Sequence, residues 1–503
     1  MNKKYMFVTG LALFAAGACT KLDVPLQSQT TVIPNTAEAY VAATGSVYQK
    51  LSSSSFGVDV WRMQELSTDE AIIPNRNGSY YDNGAYIKLH KHTWTSSDVA
   101  AAWTWAYSAI SEANRILNVL EAQATSALTT TSIAEVRTMR ALYYFYMMDL
   151  YGSVPITKFG TTENPKQSTR TEVFNFIESE LLKAVPDLAS PATVTIQYYG
   201  RPTKWAAYAL LQKIYLNAEY YTGTARYTDA ITYGNKIVNE SGLSLAGSYM
   251  SLFSPTNTAN SETILAAVFD ANRGQGNMLT RYTLHGKLQA KYGLNFAPSN
   301  AMCTTPEFLD LFNLSGDARD TTWVSGLQYD FAGKAIMADN TNQLKLTREI
   351  VLTDASSMNV GPEINGVSCG ARSVKFYPDP NAVNRNQNND IPILRLADVY
   401  LMQAEAILRS NGDAATAVSF FNKVRARAKA PQVNSITLND ILDERGRELA
   451  WECWRRNDLI RFGKWEGAWG FKTGNESINL RIFPIPATEM VLNPNLVQNP
   501  GYN

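Results

Sequence analysis

Two stretches of this chain repeat apolar residues at spacings of three and four, and a long irregular stretch separates them. From Asp98 onward Val99, Ala102, Trp103, Ala106, Ile110, Ala113, Leu117 and Leu120 line one face of an amphipathic helix, with Ser97 or Asp98 as its N-cap. A second helix is expected from Ile133 to Tyr151, closed by Gly152, and a third from Thr171 to Val185, stopped by Pro186. A pair follows at Thr203–Tyr220 and Tyr227–Asn239. A similar pair recurs at Ala397–Arg409 and Ala414–Ala428, turned by Gly412-Asp413. The alternation of small and large side chains in these pairs is what tetratricopeptide-type helices use to pack closely. Helices with too few partners nearby must pack across the interval, which favours one compact unit over two domains.

The intervening 241–390 segment is rich in Gly, Asn, Pro and Ser, with short strand-like runs at Thr263–Phe269 and Val374–Tyr377. A second irregular segment covers Ser52–His92, and the stretch Phe483–Asn503 reads as a tail wrapping the surface. Long irregular segments inside a compact protein are usually functional loops.

The first residues bear on the compartment. Lys3 and Lys4 precede an apolar run from Met6 to Ala16, then Ala16-Gly17-Ala18 and Cys19. This reads as a secretory signal peptide, its apolar run shorter than the roughly 20 residues a membrane span needs. Residues 1–18 would be removed, and Cys19, placed as in a lipobox, would carry the acyl chains that anchor the mature chain. Ala16 stands where a lipobox usually has Leu, so a plain Ala-x-Ala cleavage site is the competing reading. Loss of the two lysines takes the formal charge from +0 to about −2. That leaves no basic surplus for nucleic acid. Cys303, Cys369 and Cys453 are odd in number and lack CxxC spacing, which allows at most one disulfide and suggests no cysteine metal site.

Several segments together resemble the SusD/RagB family, whose members are nutrient-binding partners of SusC-type TonB-dependent transporters. They are SEANRIL (Ser111 to Leu117), RALYYFYMMDLYGSVPI (Arg140 to Ile156), IPILRLADVYLMQAEAILRSNGDAATAVSFFNKVRARA (Ile391 to Ala428), ERGRELAWECWRRNDLIRFG (Glu444 to Gly463) and PIPATEMVLNPNLVQNPGY (Pro484 to Tyr502). Their order and spacing span nearly the whole mature chain. The departures are modest: Gly446 stands in the family's usual Glu-Arg-Arg triplet, and Cys453 replaces the usual small residue. The resemblance implies a mainly α, SusD-like fold, with tetratricopeptide-like helix pairs packed against an irregular, loop-rich ligand-binding face. It implies a single unit over 19–503: an N-terminal helical half to about 240, the irregular 241–390, and C-terminal helices with a wrapping tail over 391–503. It also implies a surface-exposed, lipid-anchored outer-membrane protein that passes oligosaccharides to a SusC-type transporter as a lid over the barrel, hinged on the Cys19–Thr31 tether. Peptide capture, as in RagB-like members, and an all-helical glycoside hydrolase are the alternatives.

The charged run from Glu444 to Arg461 resembles an active site at first sight. Glu444, Glu448 and Glu452 follow one another at helical i,i+4 spacing among arginines, which favours ion pairs and lowered pKa values. A glycosidase acid needs the opposite, together with a second carboxylate across a cleft. The run is therefore read as structural. Glu65, Asp69 and Glu70 form a smaller acidic cluster, in which Asp69 and Glu70 suit the start of a helical turn. His90 and His92 would share one side of a strand, half a zinc site without a third ligand, so solvated or hydrogen-bonded histidines are expected. No metal or cofactor is implied.

A sugar ring offers an apolar C–H face to Trp or Tyr and hydroxyls to polar side chains, so its site needs both on loops held by a scaffold. Two segments have that composition: Pro74–Asn83 with Tyr86 and Trp94, and Arg281, Tyr282, Tyr292, Asn295, Phe296, Trp323 and Tyr329. Arg76, Tyr81, Trp94, Tyr292 and Trp323 are the candidate ligand-binding residues. A core role is equally open for Trp94, Tyr292 and Trp323, whereas Trp103, Trp105, Tyr107, Trp205 and Trp451 sit in helical patterns and are expected in the core.

Overall fold

The computed structural model describes residues 32–273, 276–474 and 477–502; Cys19 and the signal segment lie outside them. The fold is mainly α. Helix Ala100–Glu121 packs on Ala127–Tyr151, and that helix packs on Arg170–Ala184. The Ala127–Tyr151 helix begins six residues before the apolar period does, because Ser126 caps it by accepting from Thr129 N–H. Thr169 and Glu172 form a reciprocal capping box at the next helix. Asp98 caps nothing on Ala100–Glu121; its carboxylate accepts from Thr95 and pairs with Lys88.

Both expected helix pairs form, as Lys204–Leu216 with Tyr227–Glu240 and Leu396–Arg409 with Ala414–Ala428. The two pairs meet across the chain where Tyr227–Glu240 packs on Leu396–Arg409. Gly234 permits that approach: a Cβ there would stand 2.4 Å from Gln212 Nε2 and 2.5 Å from the Gln403 amide carbon. Thr263–Ala267 pairs antiparallel with Ile391–Arg395, so the segment expected to open the C-terminal helices starts as a buried strand. The strand-like run at Val374–Tyr377 is not a strand; the pairing falls just before it, at Arg372–Ser373 with Trp323–Val324.

The charged run is an internal ion-pair web. Arg395 binds Glu262, Glu448 and Glu452; Arg319 binds Asp317, Glu444 and Glu448; Arg427 reaches Glu262 and Glu448. Burial works to raise the Glu448 pKa, but Arg427, Arg395 and Arg319 outweigh it and hold it well below the usual carboxylate range. One detail differs from the i,i+4 reading. Helix Leu438–Leu449 ends before Glu452, and the chain turns through positive φ at Trp451 and Cys453. Glu65 and Glu70 fix that turn by accepting from Cys453 N–H and Trp451 N–H at 2.6 and 2.8 Å. Both are interior anchors of a distant segment, and Glu70 starts no helix.

The irregular middle has its own small core of Leu284, Leu288, Leu294, Phe296, Leu344, Leu346, Val374 and Ala382. It gives the loops above it a rigid base.

Candidate functional site

Residues 326–346 form a meander on this small core. Gly326–Leu327 pairs with Lys345–Leu346, and Gln328, Ile336 and Leu344 join through backbone hydrogen bonds of 2.8–2.9 Å. At its tip Asp330 Oδ1 accepts from Ala332 N–H and Lys334 N–H, and Gly333 takes φ +81°, a tight turn that holds Phe331 outward at 73% exposure.

Beside this tip lies an open cleft of about 480 Å³, lined by Lys291, Tyr292, Trp323, Tyr329, Phe331 and Tyr377 among others. Tyr292 is its hub, standing edge-on to Phe331 at 5.8 Å and to Tyr377 at 5.9 Å. Burial, with Tyr377 beside it, pushes the Tyr292 phenol up to about 12, so it stays neutral and able to donate. Lys291 Nζ lies 5.6 Å from the Tyr292 ring and 5.5 Å from the Phe331 ring. Trp323 is half-buried against Phe312 and Trp451, and its enclosed indole N–H has no acceptor among the described residues. On its other side a polar hollow of about 560 Å³ shares Trp323 and Ser325 and is lined by Asp310, Asn313 and Asp320. One Asp320 carboxylate oxygen has no partner among the described residues, and burial together with Asp317 raises its pKa. Aromatic faces thus run into a cluster of hydrogen-bonding groups, the arrangement a chain of sugar rings requires.

Of the candidate residues the cleft brings together Tyr292 and Trp323. Arg76 is interior at 3% exposure and donates to the carbonyls of Ala301, Val367 and Cys369. Trp94 is interior at 4%, with its indole N–H on the Tyr502 hydroxyl at 2.9 Å and its ring against His92 and Phe483. Tyr81 is exposed on the 75–84 loop, where Asn77, Tyr80, Asp82 and Asn83 all take positive φ. Next to that loop the two segments read from composition do meet. Tyr86 and Tyr282 flank the Arg62 guanidinium at 5.6 and 5.2 Å, and Arg281 covers Tyr282 at 5.0 Å. Phe331 and Tyr377 were not singled out; the signal for Phe331 was an aromatic inside the Asp330-to-Gly333 turn.

The histidines form no half-site. His90 ends the helix Ala85–His90, and His92 stacks on Trp465 at 4.3 Å with Nε2 at 2.9 Å from the Ser67 carbonyl. Among the described residues no group of three or more His, Cys, Asp or Glu is placed to hold a metal. None of their helices is long and apolar enough to cross a membrane. Trp103, Trp105, Trp205 and Trp451 are core residues, and Tyr107 is half-buried.

Two family models match: "SusD family" over residues 261–502 and "Starch-binding associating with outer membrane" over residues 25–216. Starch-binding protein SusD of Bacteroides thetaiotaomicron is 27% identical over 497 residues, covering 90% of this chain and 87% of that protein. A SusD-like protein of Bacteroides ovatus is 27% identical and covers 86% and 82%. Among solved structures, a laminarin-binding SusD-like protein superposes with a TM-score of 0.74 at 24% identity, over 93% of this chain and 99% of that one. Surface glycan-binding protein A of Bacteroides thetaiotaomicron in complex with laminarihexaose gives 0.74 at 20% identity, over 92% and 99%. At these identities the superpositions establish the shared fold, while the two sequence models together span most of the chain. SusD-like family members are carbohydrate-binding proteins and not enzymes. On fold and sequence together, this chain is a member of the SusD/RagB family.

Proposed function

We propose that this chain captures oligosaccharides at the bacterial outer membrane and delivers them to a SusC-type TonB-dependent transporter. The observation that carries the reading is the cleft, where Tyr292, Trp323, Tyr329, Phe331 and Tyr377 gather beside polar groups on a separately packed base. The relatives named for starch and laminarin, and the family model described as associating with the outer membrane, support the ligand class and the location. Acyl chains on Cys19 would tether the chain, and the Cys19–Thr31 segment would serve as the hinge of a lid over the transporter. Catalysis is no part of this reading. The acidic run that most resembles an active site is enclosed by guanidiniums that keep its Glu448 carboxylate ionised, whereas a glycosidase acid must hold its proton.

The Tyr86–Arg62–Tyr282–Arg281 stack is a second surface of mixed aromatic and donor character, so Tyr81 and Tyr86 belong in the same test. Calorimetric titration of the protein with maltooligosaccharides, laminarin oligosaccharides and a wider glycan panel is the experiment. Tyr292→Ala, Trp323→Ala, Tyr81→Ala and Tyr86→Ala are titrated in parallel. Saturable binding without product, weakened by Tyr292→Ala or Trp323→Ala, is expected. Weakening by Tyr86→Ala alone would move the site to the second face. Binding of peptides and of no glycan would overturn the sugar assignment, and cleavage of any panel member would overturn the non-catalytic one.

A further inference from the structure

Three segments distant in sequence lie side by side just before the loop that carries Tyr81. Ile72 and Cys303 exchange both backbone hydrogen bonds, at 2.8 and 3.0 Å, and Thr304 N–H donates to the Ala371 carbonyl at 3.2 Å. This register sets Cys303 beside Cys369 and Gly370. The Cys303 sulfur occupies the notch that Gly370 leaves open: a Cβ on Gly370, whose φ is +87°, would stand 2.4 Å from it. A single guanidinium touches both thiols, with Arg76 Nη2 at 3.5 Å from Cys303 Sγ and Nη1 at 3.9 Å from Cys369 Sγ. Both cysteines are buried.

The charge around them is one-sided. Arg372 is also fully buried, and it donates to the Cys369 and Gly370 carbonyls and to Asn300 Oδ1. Among the described residues neither Arg76 nor Arg372 has a carboxylate in salt-bridge reach, unlike the arginines of the internal web. Backbone carbonyls accept from both guanidiniums and complement their charge, so the site does not depend on thiolates. In the closed fold burial pushes the Cys369 thiol up and the Cys303 thiol donates to the Ile72 carbonyl, so the thiolate that attacks in thiol–disulfide exchange belongs to the chain before these segments close. His285, beside the same arginines, is held neutral by burial and by their charge.

We infer that Cys303 and Cys369 form a redox-active pair that closes to a disulfide in an oxidising cell envelope. The oxidant is a disulfide-bearing thiol carrier. One cysteine thiolate attacks a carrier sulfur and expels a carrier thiolate; the other attacks the resulting mixed disulfide and expels the second. The cysteines lose two electrons, the carrier disulfide gains them, and the two protons leave on the two carrier thiols. Exchange takes place as the three segments close, before burial is complete. The product braces the cleft from behind, because Arg372–Ser373, three residues past Cys369, is the strand paired with Trp323–Val324. Cys453 stands apart, with its N–H on Glu65, and serves as an internal reference.

The test is to isolate the full chain in detergent with an alkylating agent present, denature it without reductant, digest it and analyse the peptides by mass. The expected result is a Cys303–Cys369 cross-linked peptide that reductant abolishes, with Cys453 alkylated throughout. Reduction should also lower the thermal midpoint by roughly 4 °C, as expected for closing a loop of this length in a chain of this size. Cys303→Ser should show no such response to reductant. Recovery of all three cysteines as alkylated thiols, even after incubation with oxidised glutathione, would overturn the inference, as would a cross-link through Cys453.

Discussion

Phe331 separates ligand binding from folding more cleanly than any other cleft residue. Its ring is 73% exposed. A phenylalanine carries roughly 200 Å² of surface, so about 145 Å² of it faces solvent. A sugar stacked on one face would cover about half of that, or ~70 Å². At about 25 cal/mol per Å² the contact contributes about 1.8 kcal/mol, a factor of about 20 in Kd. Its neighbours in the fold are few, namely the Tyr292 edge at 5.8 Å and Lys291 above the ring. Phe331→Ala should therefore change folding stability by no more than about 0.5 kcal/mol. The assay is calorimetric titration with the tightest-binding glycan of the panel, paired with thermal unfolding of parent and variant. A Kd within twofold of the parent, with the midpoint unmoved, would refute the assignment of this cleft.

Three further outcomes follow from the same geometry, and a fourth from the sequence around Cys19. Glu448→Gln removes an anion shared by Arg319, Arg395 and Arg427 and should cost about 3–5 kcal/mol in denaturant unfolding; a loss below about 1 kcal/mol would count against the web as a stabilising unit. The parent's share of that energy is present above the ordinary glutamate pKa and fades as pH falls through the depressed folded value, so the gap between variant and parent should narrow in acid. Burial and Glu65 raise the Glu70 pKa, so the folded chain keeps a proton that the unfolded chain has lost, and the parent loses stability as pH climbs above 4.5. Glu70→Gln should flatten that decline above the ordinary glutamate pKa; an unchanged slope would contradict it. Trp94→Ala should cost about 3–5 kcal/mol in stability with glycan affinity unchanged at temperatures where the variant is folded. Cys19→Ala should move the chain from the membrane fraction to the soluble fraction on cell fractionation, and retention in the membrane would refute the lipid anchor.

How much was legible in the sequence depended on what each segment packs against. Ala414–Ala428 matched to the residue, because Asp413 caps it by accepting from Ala415 and Thr416 N–H and the apolar period starts at once. Ala127–Tyr151 was read late because its first turns bury Thr129 and Ser132, polar residues that break the apolar pattern. Ile391–Arg395 is fully buried and carries no alternation, so it could not be told from a helix start. In the loops, composition pointed to aromatic and polar side chains but not to which rings face outward. Trp94 and Trp323 look alike in sequence, yet one is enclosed by residues near 483 and 502 and the other borders the cleft. That difference is set by contacts hundreds of residues away, beyond the reach of local pattern.

The strand pairing of Thr263–Ala267 with Ile391–Arg395 and the packing of the final stretch bear on how the chain is made. Phe483 N–H bonds the Leu150 carbonyl, Asn499 reaches the Tyr151 carbonyl, and Trp94 is closed by Tyr502. The long helix Ala127–Tyr151 therefore lacks part of its cover until residues some 350 positions later are present. Contacts of such high sequence separation carry the entropy of large loops and are made slowly. A chain emerging from a ribosome would wait, partly assembled, until its last segment arrived. Residues 483–502 are thus the closing piece of the fold, and the helix they cover is complete only once they arrive.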